Sequence, residues 1–214
     1  MRQSRYWTVL PEWAVYPVLL GPAVYLFTAG FTNQLGADPL RVLENQLGEW
    51  ALRFLILGLA VTPLMRLARI NLVKYRRAIG LCAFTYVTLH FLVYLTLDQQ
   101  FNWPAIWQDI LKRPYITIGV TAFLMLVPLA ITSNRLSIRK LGTEGWRRLH
   151  RLVYAAAILG AVHYLLIVKA WPLEPIVYLG LVLMLLGLRL APRISRPRSV
   201  KSRERDLRNI SITE

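Results

Sequence analysis

Cysteine is all but missing from this chain of 214 residues: a single one, Cys82, lies inside an apolar run. One thiol supports neither a disulfide framework nor a thiolate metal cluster. No Cys-x-x-Cys-His occurs, so any heme is held without covalent attachment. A glycine-rich dinucleotide loop is also missing, which removes a built-in flavin or nicotinamide domain. Acidic residues are few, 11 against 26 Lys and Arg, and all of them read as loop, span-end or terminal positions. Coupled transporters place carboxylates at mid-membrane, so ion-coupled transport is disfavoured.

What is abundant is apolar sequence: 56% of residues are hydrophobic and the mean hydropathy is +0.43. Several runs approach the roughly 20 residues that cross a bilayer. The pattern predicts an all-α integral membrane protein, a bundle of six transmembrane helices over residues 14–191, with a short segment 1–13 before it and a basic tail 192–214 after it. The first span, Ala14–Phe31, could pass for a signal peptide, but it contains Pro17 and Pro22 and lacks a small-x-small cleavage site. Asp38-Pro39 is a helix-start signal, read here as a short surface helix leading into a second span, Ala51–Leu67. Further spans are Ala78–Leu97, Tyr115–Ser133, Trp146–Lys169 and Ile176–Ala191. Between the third and fourth, Trp103, Trp107, Ile110 and Leu111 recur at helical spacing, as in a helix resting on the lipid interface or docking a partner.

The formal charge of +15 would suggest nucleic acid in a soluble protein. Here the charges are sorted by loop. One side of the membrane receives two Lys or Arg in the N-terminal segment, five in 66–77, six in 135–151 and eight from Arg189 onward. The other side receives only Arg41, Arg53, Lys112, Arg113 and Lys169. The positive-inside rule then places both termini in the cytoplasm. The basic tail would rest on anionic lipid.

The three histidines are the remaining polar residues with a stake in the spans. An ionisable side chain there is costly and is by default a functional candidate. His90 lies eight residues before Asp98, about 12 Å below the outer end of its helix. His163 lies six residues before Lys169, about 9 Å below its own outer end. Two imidazoles at one depth on neighbouring helices can clamp one flat porphyrin. The plainer alternative is a histidine hydrogen-bonded to a neighbouring carbonyl. His150, thirteen residues before His163, falls about 20 Å lower and about 140° around an unbroken helix, so the two cannot share one iron. It is either a surface histidine of a basic loop or part of an inner electron-entry site. Around it Arg76, Arg77, Arg147, Arg148 and Arg151 suit heme propionates or anionic head groups.

These residues resemble the MsrQ family, heme-binding membrane subunits of the protein-methionine-sulfoxide reductase system, within the wider ferric-reductase-like transmembrane group. The matching segments are Leu35-Gly-Ala-Asp-Pro39, Thr62-Pro63-Leu64, Arg76-Arg77 through Gly80-Leu81 to His90, Arg113-Pro-Tyr-Ile-Thr117, and Trp146 through Leu149-His150, Tyr154 and His163-Tyr164 to Lys169. The resemblance implies a b-type heme held by His90 and His163, with His150 as the family's third histidine and as a candidate for a second metal site. It implies a multi-pass protein of the bacterial inner membrane that passes electrons to a periplasmic molybdopterin-containing reductase repairing oxidised methionine. The donor it implies is the quinone pool or a cytosolic flavin reductase, and the family is also associated with FMN. Two other functions stay open at this point. One is a transmembrane ferric or oxygen reductase with a separate donor subunit. The other is a cofactor-free anchor or transporter.

Overall fold

A computed structural model describes residues 11–168 and 172–190 of the chain. Among the described residues every regular element is helical. The segment 1–10, Lys169, Trp171 and the basic tail from residue 192 lie outside them, so the expectations placed there are not addressed by the structure.

The first helix, α1 (Glu12–Phe31), contains Pro17 and Pro22, and its repair is tertiary. In an unbroken helix the Ala23 N–H would donate to the Leu19 carbonyl. Instead the Tyr86 hydroxyl stands between them, accepting from Ala23 N–H at 2.8 Å and donating to Leu19 O at 3.0 Å. Tyr86 is fully buried and packs against the rings of Phe54 and Trp50.

Helix α2 (Pro39–Leu67) starts as its sequence predicts. The Asp38 carboxylate accepts from the Arg41 N–H at 3.2 Å, and proline occupies the first turn. The expected surface helix with a separate span from Ala51 is replaced by one continuous helix of 29 residues. Nothing between Leu40 and Thr62 breaks the backbone ladder, since a lone Gly48 or Gly58 costs only about 1 kcal/mol each. At 1.5 Å per residue it is about 44 Å long, against about 30 Å of hydrocarbon. Its first turns therefore carry Glu44 and Glu49 onto the bundle rather than into a loop. Pro63 lacks an N–H, which deprives the Leu59 carbonyl of its helical donor. The Arg189 guanidinium fills the vacancy, donating to Leu59 O at 2.8 and 3.0 Å and to Gly58 O at 3.1 Å.

A 3₁₀ turn, Val73–Tyr75, leads into α3 (Arg76–Val93), which ends in a π-helical turn, Tyr94–Asp98. The helix expected between the third and fourth spans is observed as α4 (Trp103–Lys112), capped by Asn102. It turns Ile106 inward while Trp103, Trp107 and Leu111 face outward. Helix α5 (Pro114–Ile131) follows directly.

The basic segment expected as a loop is instead α6 (Arg135–Leu149), with non-helical backbone at Gly142, φ +70°. Helix α7 (Leu152–Ile167) begins only after His150 and is bent 40° from α6. The span thus does not start at Trp146, and depth counted along one straight helix from His150 to His163 does not apply. Helix α8 (Leu173–Leu190) closes the bundle.

Helix α2 packs on α1, α3, α7 and α8, while α5 packs on α3, α4 and α7. Ala156, Ala157 and Ala161 of α7 are completely buried, small residues that let helices approach closely in a membrane. Cys82 is buried among α1–α3 side chains. Among the described residues, four helices can cross a membrane by length and composition, or five when the bent α6–α7 pair is one span.

Candidate functional site

His90 on α3 and His163 on α7 face each other, with ring centres 6.2 Å apart and planes at 77°. Each is aimed by the same device. The Nδ1–H of His90 donates to the backbone carbonyl of Glu44 at 2.9 Å, and that of His163 to the carbonyl of Tyr115 at 2.7 Å. One turn beyond each accepting carbonyl stands a glycine, Gly48 and Gly119. A Cβ on Gly48 would lie 3.3 Å from Nδ1 of His90; one on Gly119 would lie 2.8 Å from Nδ1 and Cε1 of His163. A side chain at either position would obstruct the ring on its way to the helix backbone. Anchoring Nδ1 in this way fixes the tautomer and leaves the Nε2 lone pair for a metal.

The two Nε2 atoms serve a cavity of about 770 Å³ whose wall includes Leu52, Leu55, Val87, Phe91, Phe123 and Leu126. Two metal–imidazole bonds of about 2 Å, plus roughly 1.2 Å from nitrogen to ring centre on each side, would separate the ring centres by about 6.4 Å. The observed 6.2 Å fits one metal between the histidines, and the apolar walls fit a porphyrin around it. Among the described residues no cluster of three or more His, Cys, Asp or Glu could hold a bare ion.

The charged lining differs from expectation. Arg41 and Arg113 line this cavity, as do Asp38, Glu44, Glu49 and Asp98. Arg76 and Arg77 do not: they sit in the first turn of α3, about 20 Å along the helix from His90. Glu49 is the centre of a network across three helices. Its carboxylate accepts from Arg53 at 2.9 Å, Tyr164 at 3.2 Å and Gln46 at 3.2 Å. Arg53 in turn donates to Tyr178 at 2.8 Å and stands over the Trp50 ring. The sequence offered little sign of it, because Glu49 precedes the apolar run of α2 and reads as a span-end residue. Gly48 and Gly119 were equally inconspicuous; only their place one turn after a carbonyl that receives a histidine gives them meaning.

His150 lies apart from this cavity, at the α6–α7 break. Its ring stacks on Trp146 at 3.8 Å between centres, and its Nε2 meets the Thr132 hydroxyl at 3.1 Å. Trp146 fastens the same corner by donating to the Thr132 carbonyl at 2.9 Å. Arg76 is near enough for its charge to be felt at His150 and at Arg189. Of the other arginines named around His150, Arg148 pairs with Glu144 at 2.6 Å. No second histidine comes near His150.

Residues 47–161 match the family described as ferric reductase like transmembrane component. That segment contains His90, His150, Gly48 and Gly119 and stops two residues short of His163. Proteins from Brucella ovis, Brucella canis and Brucella melitensis biotype 2, each described as the protein-methionine-sulfoxide reductase heme-binding subunit MsrQ, are 52% identical over 193 residues. The similarity covers 90% of this chain and 87% of each relative. The chain belongs to the MsrQ family.

Proposed function

We propose that the chain is a membrane b-type cytochrome, the electron-relaying subunit of a methionine sulfoxide reductase system. The observation that carries this reading is the pair of backbone-anchored imidazoles, spaced for one metal inside an apolar cavity. Family membership supports it, since the relatives are described as heme-binding subunits. Bound heme supplies a reversible one-electron couple. His90 and His163 would hold the heme iron between two imidazole nitrogens, and such a pair would shield it from oxygen or substrate, which suits transfer rather than activation. Arg41 and Arg113, in the cavity wall, are the cations placed to meet porphyrin carboxylates.

In this reading six helices span the bacterial inner membrane, the basic segments and both termini lie in the cytoplasm, and the end of the cavity carrying Asp38 and Arg113 faces the periplasm. Electrons enter from the quinone pool or a cytosolic flavin reductase and leave to a periplasmic molybdopterin-containing partner. FMN enters only through the family, and flavin quantification on the heme-bearing sample decides it. Optical spectra of the purified protein test the core of the reading: reducible heme bands are expected, and are expected to be lost in His90→Ala and His163→Ala. Bands that are absent from the wild type, or that survive both substitutions, refute it. The ferric-reductase-like family match favours one second reading, direct ferric reduction, and steady turnover of ferric chelates without a periplasmic partner would establish it.

A further inference from the structure

A carboxylate only 13% exposed in the wall of the histidine cavity asks for an explanation. Glu49 lines the cavity served by His90 and His163, yet its counter-ion Arg53 does not. The two side chains are in contact at 2.9 Å, and the Glu49 carboxylate is the better shielded, 13% exposed against 33% for Arg53. The ion pair is therefore oriented, with its negative end toward the cavity and its positive end toward α8. The second acid on Arg53, Glu174, stands 3.7 Å away, is half exposed and does not reach the cavity wall. Tyr164, the residue after His163, also lines the cavity and donates to the carboxylate.

The geometry points to Glu49 as a residue that lowers the reduction potential of the metal between His90 and His163, acting through space as a negative charge alongside the other charged groups of the wall, Asp38, Arg41, Glu44, Asp98 and Arg113. This inference rests on the heme reading above. Ferric heme carries one more positive charge than ferrous heme, so a nearby carboxylate favours the oxidised form and lowers the potential. The carboxylate is only 13% exposed, which limits the screening of that effect by water. Arg53 holds the carboxylate in place from outside the cavity, at 2.9 Å. Glu49 is thus a positioning residue of the field and touches no reacting atom in this account.

The test is a spectroelectrochemical titration of the purified heme-bearing protein. Glu49→Gln is expected to move the midpoint to higher potential at unchanged heme-to-protein ratio. Glu49→Asp, which keeps the charge, is expected to stay near the wild type, and Glu174→Gln, outside the wall, to move the midpoint far less than Glu49→Gln. An unmoved midpoint in Glu49→Gln overturns the proposal, as does an equal shift in Glu174→Gln. Should Glu49→Gln fail to retain heme, Tyr164→Phe carries the test. It strips a donor from the carboxylate and is expected to lower the midpoint, and no change or a rise overturns the proposal. Failure here leaves the heme spectrum and its loss in His90→Ala intact, whereas failure of the heme reading leaves no midpoint to titrate.

Discussion

Gly119→Ala should separate the stability of the helix from the capacity of the site. The added methyl would stand 2.8 Å from Nδ1 and Cε1 of His163 and 3.2 Å from Nε2. Comfortable contact begins at about 3.5 Å, so the ring must retreat by about 0.7 Å. The Nδ1–H bond to Tyr115 O, now 2.7 Å, would stretch past the roughly 3.2 Å limit of a good N–H···O bond. Loss of such an orienting bond costs about 10- to 100-fold in metal affinity, or about 1.4–2.8 kcal/mol. Alanine meanwhile stabilises the α5 helix itself by about 1 kcal/mol relative to glycine. Titrating heme into the purified apoprotein while following its thermal melt by circular dichroism reads both quantities. Heme affinity should fall, while the apoprotein melt should move only slightly, the helix gain opposing the roughly 1–3 kcal/mol lost with the displaced ring's hydrogen bond. Gly48→Ala, whose methyl meets His90 at 3.3 Å, should lose less than about tenfold. Wild-type heme affinity in Gly119→Ala, or a larger loss in Gly48→Ala, refutes the reasoning.

Other expectations follow from the same contacts. Tyr86→Phe removes the hydroxyl shared by Ala23 N–H and Leu19 O, and should lower stability by about 1–3 kcal/mol in a detergent melt, with the heme spectrum intact. Arg189→Leu deprives the Leu59 carbonyl of its donor, at about 1.5–3 kcal/mol. In a Pro63→Ala background, where residue 63 regains an N–H, that cost should shrink, and an undiminished cost in a double-mutant cycle would show that the carbonyl is not the target. His150→Ala should leave the axial ligation bands unchanged, since His150 is bonded to Thr132 and stacked on Trp146. The 77° between the His90 and His163 planes should give the ferric protein a strongly anisotropic low-spin electron paramagnetic resonance signal, unlike that of parallel imidazoles.

The parts legible in the sequence were those governed by local composition. The apolar runs, the Asp38-Pro39 start, the α4 stripe of Trp103, Trp107 and Leu111, and the matched depth of His90 and His163 all follow from period and position. Less was legible where packing overrides local pattern. Glu44 and Glu49 read as part of a short surface helix and a span end, because they precede the apolar stretch, yet one helix, α2, carries both into the cavity wall. Arg76 and Arg77 read as suited to heme propionates or anionic head groups near His150, and the cavity of His90 and His163 lies at the other end of α3. His150 had no visible mate, since the Thr132 hydroxyl it meets comes from the end of α5, and Trp146, one turn before it, does not announce that its indole stacks on the ring.

The anchoring of both imidazoles on main-chain oxygen has a genetic consequence. Replacing Glu44 or Tyr115 removes no acceptor, because every amino acid supplies the same carbonyl. Side-chain substitutions at Glu44 and Tyr115 would therefore leave the hydrogen bonds that orient His90 and His163 in place, whereas Gly48 and Gly119 are where an added Cβ crowds the rings. The support of this centre is written in the absence of side chains, and the informative mutations are those that add atoms.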